Sequence, residues 1–533
     1  MKRHALKRYT VRLLTALTAA AAGVSALPAV RAAAATETVV AGIYGDLNGD
    51  QKIDLPDVRL MQAFLNGDLP AFGETDPKYA DIDHSGTVNA ADFTLLKRLI
   101  LTDAQPEIVY QEIEVPDPPL MDPPIAVLNP SLPSAGTARV LMFAVGFSDC
   151  QIQDGYSPDR IYEMTFGPEN PNERSYPMES INAYYERASY GRLHLDGDVY
   201  ICNLSNEIDN YIGDREMLVD AVLETMDQEL DYSRYDADAD GRIDTMILAL
   251  PKAAAGRDHN NDGTEDWWPS SNGYFGRRIF DGMKPGNNII GAWDLNDRAG
   301  FTSTWAHELG HAMGLPDYYK YELNGDEGYY GMNGSTGWDL MDDAYGDLSA
   351  FSKLMLGWYR EDEVQVYTHG TQTFTLQSSQ HAPGCILIPR TAVQNPSDAM
   401  NNLYSEYFLI EYNTADRNNA GFFSGGSRYP LFQKPGVRVL HCDAELWNGY
   451  WGKELKWNNY GMMYDSSNQR QRVIRTAMEN QDYVTAGKSV SFEQYPEFAW
   501  YDTSGYRSID PNIIIHVDSI RDGICTVTIS EKS

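Results

Sequence analysis

The period of the apolar positions changes several times along the chain, and each change predicts a different kind of segment. Basic Lys2, Arg3, Lys7, Arg8 and Arg12 precede a moderately apolar, Ala-rich stretch from Leu13 to Val30, and the small residues Ala32 to Ala35 close it. That order predicts a cleaved signal peptide over 1–35 and no lasting membrane insertion. Val58, Leu60, Met61, Phe64 and Leu65, then Phe93, Leu95, Leu96, Leu99 and Ile100, fall at helical spacing and predict two short helices within 36–104. Residues 102–134 hold eight prolines, so 105–134 should be an extended tether. Beyond it Ala138 to Gly146 reads as a buried strand, Met178 to Ser189 and Met217 to Leu230 as helices, and Thr245 to Leu250 as another strand. This alternation predicts a mixed α/β domain over 135–360. After Trp358 the pattern turns to short alternating runs, Val364 to Tyr367 and Thr373 to Leu376, with a closing hairpin from Ile513 to Val517 and Cys525 to Ile529. A β-rich region over 361–533 follows, and the predicted fold class is multidomain α+β.

Charge and cysteine usage narrow the partners. The formal net charge is −34, and removal of residues 1–35, with six Lys or Arg and no acid, makes it −40. Such a chain repels polyphosphate, which argues against nucleic acid and anionic membranes. The five cysteines, Cys150, Cys202, Cys385, Cys442 and Cys525, show no CxxC spacing, and their odd count leaves at least one thiol unpaired.

Much of the acid is spaced for calcium. Asp46, Asn48, Asp50, Asp54 and Asp57 stand at positions 1, 3, 5, 9 and 12 of a loop, with the Lys52 carbonyl at 7. Thirty-five residues on, Asp81, Asp83, Ser85, Asn89 and Asp92 repeat the pattern, with Thr87 at position 7. Gln51 replaces the glycine expected at position 6 of the first loop, which predicts strain there. Two loop-helix repeats closed by Asp resemble a dockerin, a small all-α calcium-binding module. The resemblance implies two calcium ions and a cohesin partner on a cellulosome-type scaffold. The differing Leu55-Pro56 and Ala90-Ala91 at positions 10 and 11 imply one preferred docking face.

Asp236, Asp238, Asp240 and Asp244, with the carbonyl of Arg242, form a third candidate loop in which Ile247 stands at position 12 and cannot close the site. Asp258, Asn260, Asp262 and Asp266, with the Thr264 carbonyl, form a fourth, where Pro269 stands at position 12. Both are candidate calcium loops against the alternative of plain Asx-rich turns, and both need ligands from elsewhere.

The strongest chemical signal is His307-Glu308-Leu309-Gly310-His311-Ala312-Met313-Gly314-Leu315-Pro316-Asp317. On a helix His307 and His311 lie one turn apart on one face and can reach a single zinc ion. Glu308 is placed to take a proton from an attacking water, as amide hydrolysis requires. Gly314 can end the helix in a left-handed conformation and bring Asp317 back as third ligand, with the fourth position open. An Asp ligand lowers Lewis acidity relative to His and leaves more of the work to Glu308.

This string resembles the metzincin signature, and Leu315-Pro316-Asp317-Tyr318-Tyr319 is similar to the immune-inhibitor-A-type metallopeptidases. Residues 183–199, Ser352 to Trp358, Glu406 to Glu411 and Gly436 to Asp443 extend the likeness over roughly 135–450. Trp338-Asp339-Leu340-Met341-Asp342 lies where the family has its Met-turn, which implies Met341 as an apolar floor beneath the ligands. His441, in a strand-like run, is expected to be structural. The expectation is a secreted zinc endopeptidase with one catalytic zinc and a protein or peptide substrate, held outside the cell or on a cell-surface scaffold. Two rivals are a docked binding protein with a relic zinc fold, and a calcium-dependent carbohydrate-binding adhesin using the aromatics of 444–464.

Overall fold

A computed structural model describes residues 36–73, 75–102, 104–114, 130–153, 155–259, 261, 265–318, 339–343, 346–390, 404–420, 435–449, 452–455, 473–478 and 483–532. The chain divides into two compact units, residues 1–118 and 119–533. The predicted signal peptide, residues 115–129 of the tether and most of the aromatic cluster lie outside the described residues.

In the first unit the predicted helices are α1 (Leu55–Asn66) and α2 (Ala90–Leu101). Each opens with a capping box in which the last acid of the calcium loop is also the N3 residue. Asp54 N–H donates to Asp57 at 2.8 Å, and Asn89 N–H to Asp92 at 2.9 Å. Loop and helix therefore form together, around a core of Leu47, Met61, Phe72, Ala80 and Leu96. The unit is not all-α as expected: β1 (Thr36–Ile43) pairs antiparallel with β2 (Ile108–Glu114). The prolines around β2 had pointed to a tether and masked the β-branched and aromatic Ile108-Val109-Tyr110.

The tether reading also fails at its other end, where residues 131–134 belong to the second unit's core. Ser131 and Leu132 N–H donate to the Ala312 carbonyl at 2.9 and 3.0 Å. Leu132 is buried, and Ser134 Oγ donates to the Leu356 carbonyl at 2.9 Å.

The second unit is built on β3 (Gly136–Gly146), β4 (Leu193–Asn203), β5 (Arg242–Pro251), β6 (Ser270–Gly273) and β7 (Lys284–Trp293), in the order β4-β3-β5-β7-β6. All pairings are parallel except β6, which runs antiparallel along the β7 edge. On one face lie α3 (Pro158–Thr165), α4 (Ile181–Ala188) and α6 (Arg298–Ala312), packed on Val140, Met142, Ile247 and Ile289. The other face, with Leu141, Phe143, Leu248 and Ile290, is covered by α5 (Arg215–Met226). Burial on both faces explains why β3 and β5 read as continuous apolar runs.

Downstream are the short helices α7 (Leu340–Asp343) and α8 (Ala350–Met355), then β8 (Val364–Val366), β9 (Thr371–Gln377), β10 (Cys385–Pro389), β11 (Glu406–Asn413) and β12 (Gly436–Asp443). Strands β8, β10, β11 and β12 form one sheet with Ile474–Thr476. Cys385, Leu387, Tyr407, Leu409 and Leu440 on its one face share the core that holds α6. Ile386, Phe408, Ile410 and Val439 on the other face meet a second sheet made of β9, Ser489–Val490 and the predicted hairpin, Ile513–Arg521 with Ile524–Glu531. All five cysteines are buried and free, so they serve as apolar packing. No helix among the described residues is long and apolar enough to cross a membrane.

Candidate functional site

Helix α6 carries His307, Glu308 and His311, and its C-terminus turns as the sequence predicts. Gly314 has φ of 97°, its N–H donates to the His311 carbonyl at 2.8 Å, and Leu315 N–H donates to the Gly310 carbonyl at 2.9 Å. This paired closure is a Schellman motif, and it reverses the chain. Asp317 Oδ1 returns to 3.0 Å from His307 Nε2 and 3.3 Å from His311 Nε2. Both imidazoles are held from behind: His307 Nδ1 is 2.8 Å from the Leu340 carbonyl and His311 Nδ1 is 2.8 Å from that of Leu315. A carbonyl partner makes each Nδ1 the donor and leaves each Nε2 lone pair aimed at the common point.

Burial opposes a charged His307, yet Asp317's bond and charge outweigh it and raise its pKa. The same balance lifts His311 to about 9, while Asp317 is lowered, against burial, by His311 and His307. Two imidazole nitrogens and one carboxylate oxygen, all within 4.8 Å of one another, form among the described residues a donor set that could hold a metal ion such as zinc.

Glu308 is buried beside these donors, and burial pushes its pKa up, with the His311 and His307 charges and the nearby Ser271 backbone N–H of β6 opposing the rise. Tyr274 N–H donates to the Gly286 carbonyl at 2.8 Å, so by alternation the backbone groups of Ser271 and Gly273 face away from β7. Arg215, at the start of α5, donates to Ser270 Oγ at 2.9 Å and to its carbonyl at 3.0 Å. Burial lowers its pKa to about 10, with the nearby Glu308 charge opposing that fall. Met341 is fully buried, with its Sδ 2.5 Å from where a Gly310 Cβ would stand, so it does lie against the ligand helix.

The sequence reading did not single out Arg215, Gly310 or β6. Arg215 follows the α5 N-cap, Asp214, and nothing in its neighbourhood signals a site. Gly310 was legible only as a helical glycine inside the motif. His441 is structural as expected: its Nε2 is 2.9 Å from Glu406 Oε1, and burial pushes its pKa down to about 4.

In the first calcium loop Asp46 accepts from Gly49 and Gln51 N–H at 2.8 Å each, and Leu47 N–H donates to Asp57 at 2.8 Å. Gln51 has φ of 64°, the left-handed conformation that its position predicts. In the second, Asp81 accepts from Ser85 N–H at 3.0 Å and Gly86 N–H at 2.7 Å, and Asp83 N–H donates to Asp92 at 3.0 Å.

The Asp236 loop has the same internal bonds: Asp240 and Gly241 N–H each donate to Asp236 at 3.0 Å, and Arg242 N–H to Asp240 at 2.8 Å. Its closure comes from within the loop. Ala237 N–H donates to Asp244 at 3.1 Å, so position 9 does what position 12 does in the first unit. Asp236, Asp238 and Asp244 place carboxylate oxygens within 4.8 Å of one another. In the fourth loop His259 N–H donates to Asp266 at 2.9 Å in the same manner, while Asn260, Asp262 and Thr264 lie outside the described residues.

Residues 44–101 match the family described as Dockerin type I domain. Dockerin domains bind calcium, and a dockerin implies a cohesin partner and suggests extracellular, cellulosome-type scaffold docking. No curated protein matches the chain.

Proposed function

We propose that the second unit is a zinc endopeptidase and that the dockerin delivers it, after export, to a cohesin-bearing scaffold. The observation that carries this reading is the convergence of His307 Nε2, His311 Nε2 and Asp317 Oδ1 beside a buried Glu308, with β6, the edge strand of its sheet among the described residues, nearby. Zinc, when bound, supplies Lewis acidity to the site. The chain's own part begins with β6, whose outward Ser271 and Gly273 backbone groups can pair with an extended peptide. Glu308, its pKa raised by burial, takes a proton from the attacking water and returns it to the leaving amine. Leu340 and Leu315 carbonyls keep the imidazoles from rotating.

The Asp236 and Asp258 loops are proposed as further calcium sites. A cation there would offset repulsion among their carboxylates and stabilise the fold.

The test is a pair of variants. Glu308→Ala should keep its zinc and lose roughly 10²- to 10⁴-fold in peptide-bond cleavage. Asp317→Ala should lose the zinc. A Glu308→Ala chain that cleaves as fast as the parent overturns the mechanism, and a parent chain that takes up no zinc overturns the peptidase reading.

A further inference from the structure

His307 takes its orientation from the Leu340 carbonyl, 2.8 Å from Nδ1, so the site depends on whatever fixes that carbonyl. Helix α7 spans only Leu340–Asp343, a single turn with too few internal bonds to hold itself. The other end of the same peptide group, Met341 N–H, donates to Asp339 Oδ1 at 2.9 Å. Because a peptide unit is planar, holding its N–H and its carbonyl at opposite ends fixes the plane. Asp339 is itself held: Oδ2 accepts from Ser349 N–H and Ser352 Oγ, each at 2.7 Å, and the side chain is fully buried. The Met341 carbonyl accepts from Tyr318 N–H at 2.9 Å, directly after Asp317, and Tyr318 OH lies 2.9 Å from Ser352 Oγ.

We infer that Asp339 is a positioning residue of the metal site, clamping the Leu340–Met341 peptide and thereby orienting His307 and the segment that carries Asp317. The clamp also joins the site to α8, because Ser349 is the α8 N-cap and Ser352 lies in its first turn. Asp339 touches neither substrate nor metal and acts through the groups that it holds. The inference rests on the zinc reading above, and it places the ligand geometry under the control of a carboxylate on the far side of Met341.

Asp339→Asn tests it, since the amide oxygen can still accept from Met341 while its NH₂ confronts the Ser349 N–H donor. Zinc affinity, read by competition with a chromogenic chelator, should fall about 10- to 100-fold. The cobalt-substituted protein should show an altered ligand-field spectrum. Ser352→Ala removes one donor and keeps the carboxylate; it should weaken zinc binding by roughly three- to tenfold, and it decides the matter if Asp339→Asn does not fold. Folded variants that bind zinc as tightly as the parent, with the parent's cobalt spectrum, overturn the inference and leave the peptidase reading standing. A parent chain without zinc affinity overturns both.

Discussion

Gly310 leaves no room for a side chain, since a Cβ there would stand 2.5 Å from Met341 Sδ and 3.2 Å from its Cε. Alanine would favour the helix intrinsically, yet Met341 is fully buried and can yield only by displacing its neighbours. Gly310→Ala should therefore destabilise the second unit by about 1–3 kcal/mol, measurable as a lower midpoint of denaturant unfolding, and should weaken zinc binding as Met341 shifts. An unchanged midpoint with unchanged affinity would mean that Met341 is not a packed floor. Much of the centre was legible residue by residue. His307, Glu308, His311, Gly314 and Asp317 follow one another in sequence, so their geometry needs only a helix and its stop signal. Gly310 and Arg215 were not legible because their partners, Met341 and Ser270, are distant in sequence and meet them only in the fold.

Two kinds of element follow the cation loops, and this decides which acid closes each one. In the first unit position 12 is the N3 residue of a helix, so Asp57 and Asp92 curl back over their loops. The Asp236 loop runs at position 7 into β5, which begins at Arg242, and extended backbone carries residue 247 away into the sheet core. Asp244 is the acid left within reach; the helical-loop template names it at position 9 but assigns closure to position 12, so its closing role was not legible. Asp244 is 5% exposed, and its pKa is raised to about 7, first by burial and then by Asp238, Asp236 and Asp240. A raised carboxylate pKa means that between about pH 4 and 7 the folded chain holds a proton that the unfolded chain has released. Metal-free stability should thus fall as pH rises across that window, by at most on the order of 4 kcal/mol. In chelator the melting temperature of the second unit should drop from pH 5 to pH 7.5, calcium should reduce the drop, and Asp244→Asn should flatten the metal-free profile. A metal-free melting temperature independent of pH would exclude Asp244 as the coupled group.

The two compact units set what can be removed from the whole molecule. Alternating runs after Trp358 suggested a separate β-rich region, and its strands were legible because they alternate cleanly. That one face of β10 to β12 completes the core beneath α6 was not, since buried strands look alike whichever layer covers them. Polar contacts cross the same boundary: Arg187 Nε donates to Asn418 at 2.7 Å, Ala350 N–H to Glu411 at 2.8 Å, and Gln380 Nε2 to Asp347 at 2.7 Å. Lys353, fully buried, is paired with Asp347 at 2.6 Å and donates to the Ser379 carbonyl at 3.3 Å. Ending the chain after Arg360 would expose Leu354 and Trp358 to water and leave these buried groups short of partners, at about 1–3 kcal/mol each. Four such losses together cost about 4–12 kcal/mol, comparable with the roughly 5–15 kcal/mol by which a domain is stable. A 119–360 fragment should therefore be insoluble or lack near-ultraviolet circular dichroism, whereas removal of residues 1–118 should leave cleavage of a free peptide within about twofold of the full chain. A folded, cleaving 119–360 fragment would show that the C-terminal sheets are accessory. With the expected result, the peptidase proposed here is the whole of the second unit, and the dockerin changes where it works without changing what it cleaves.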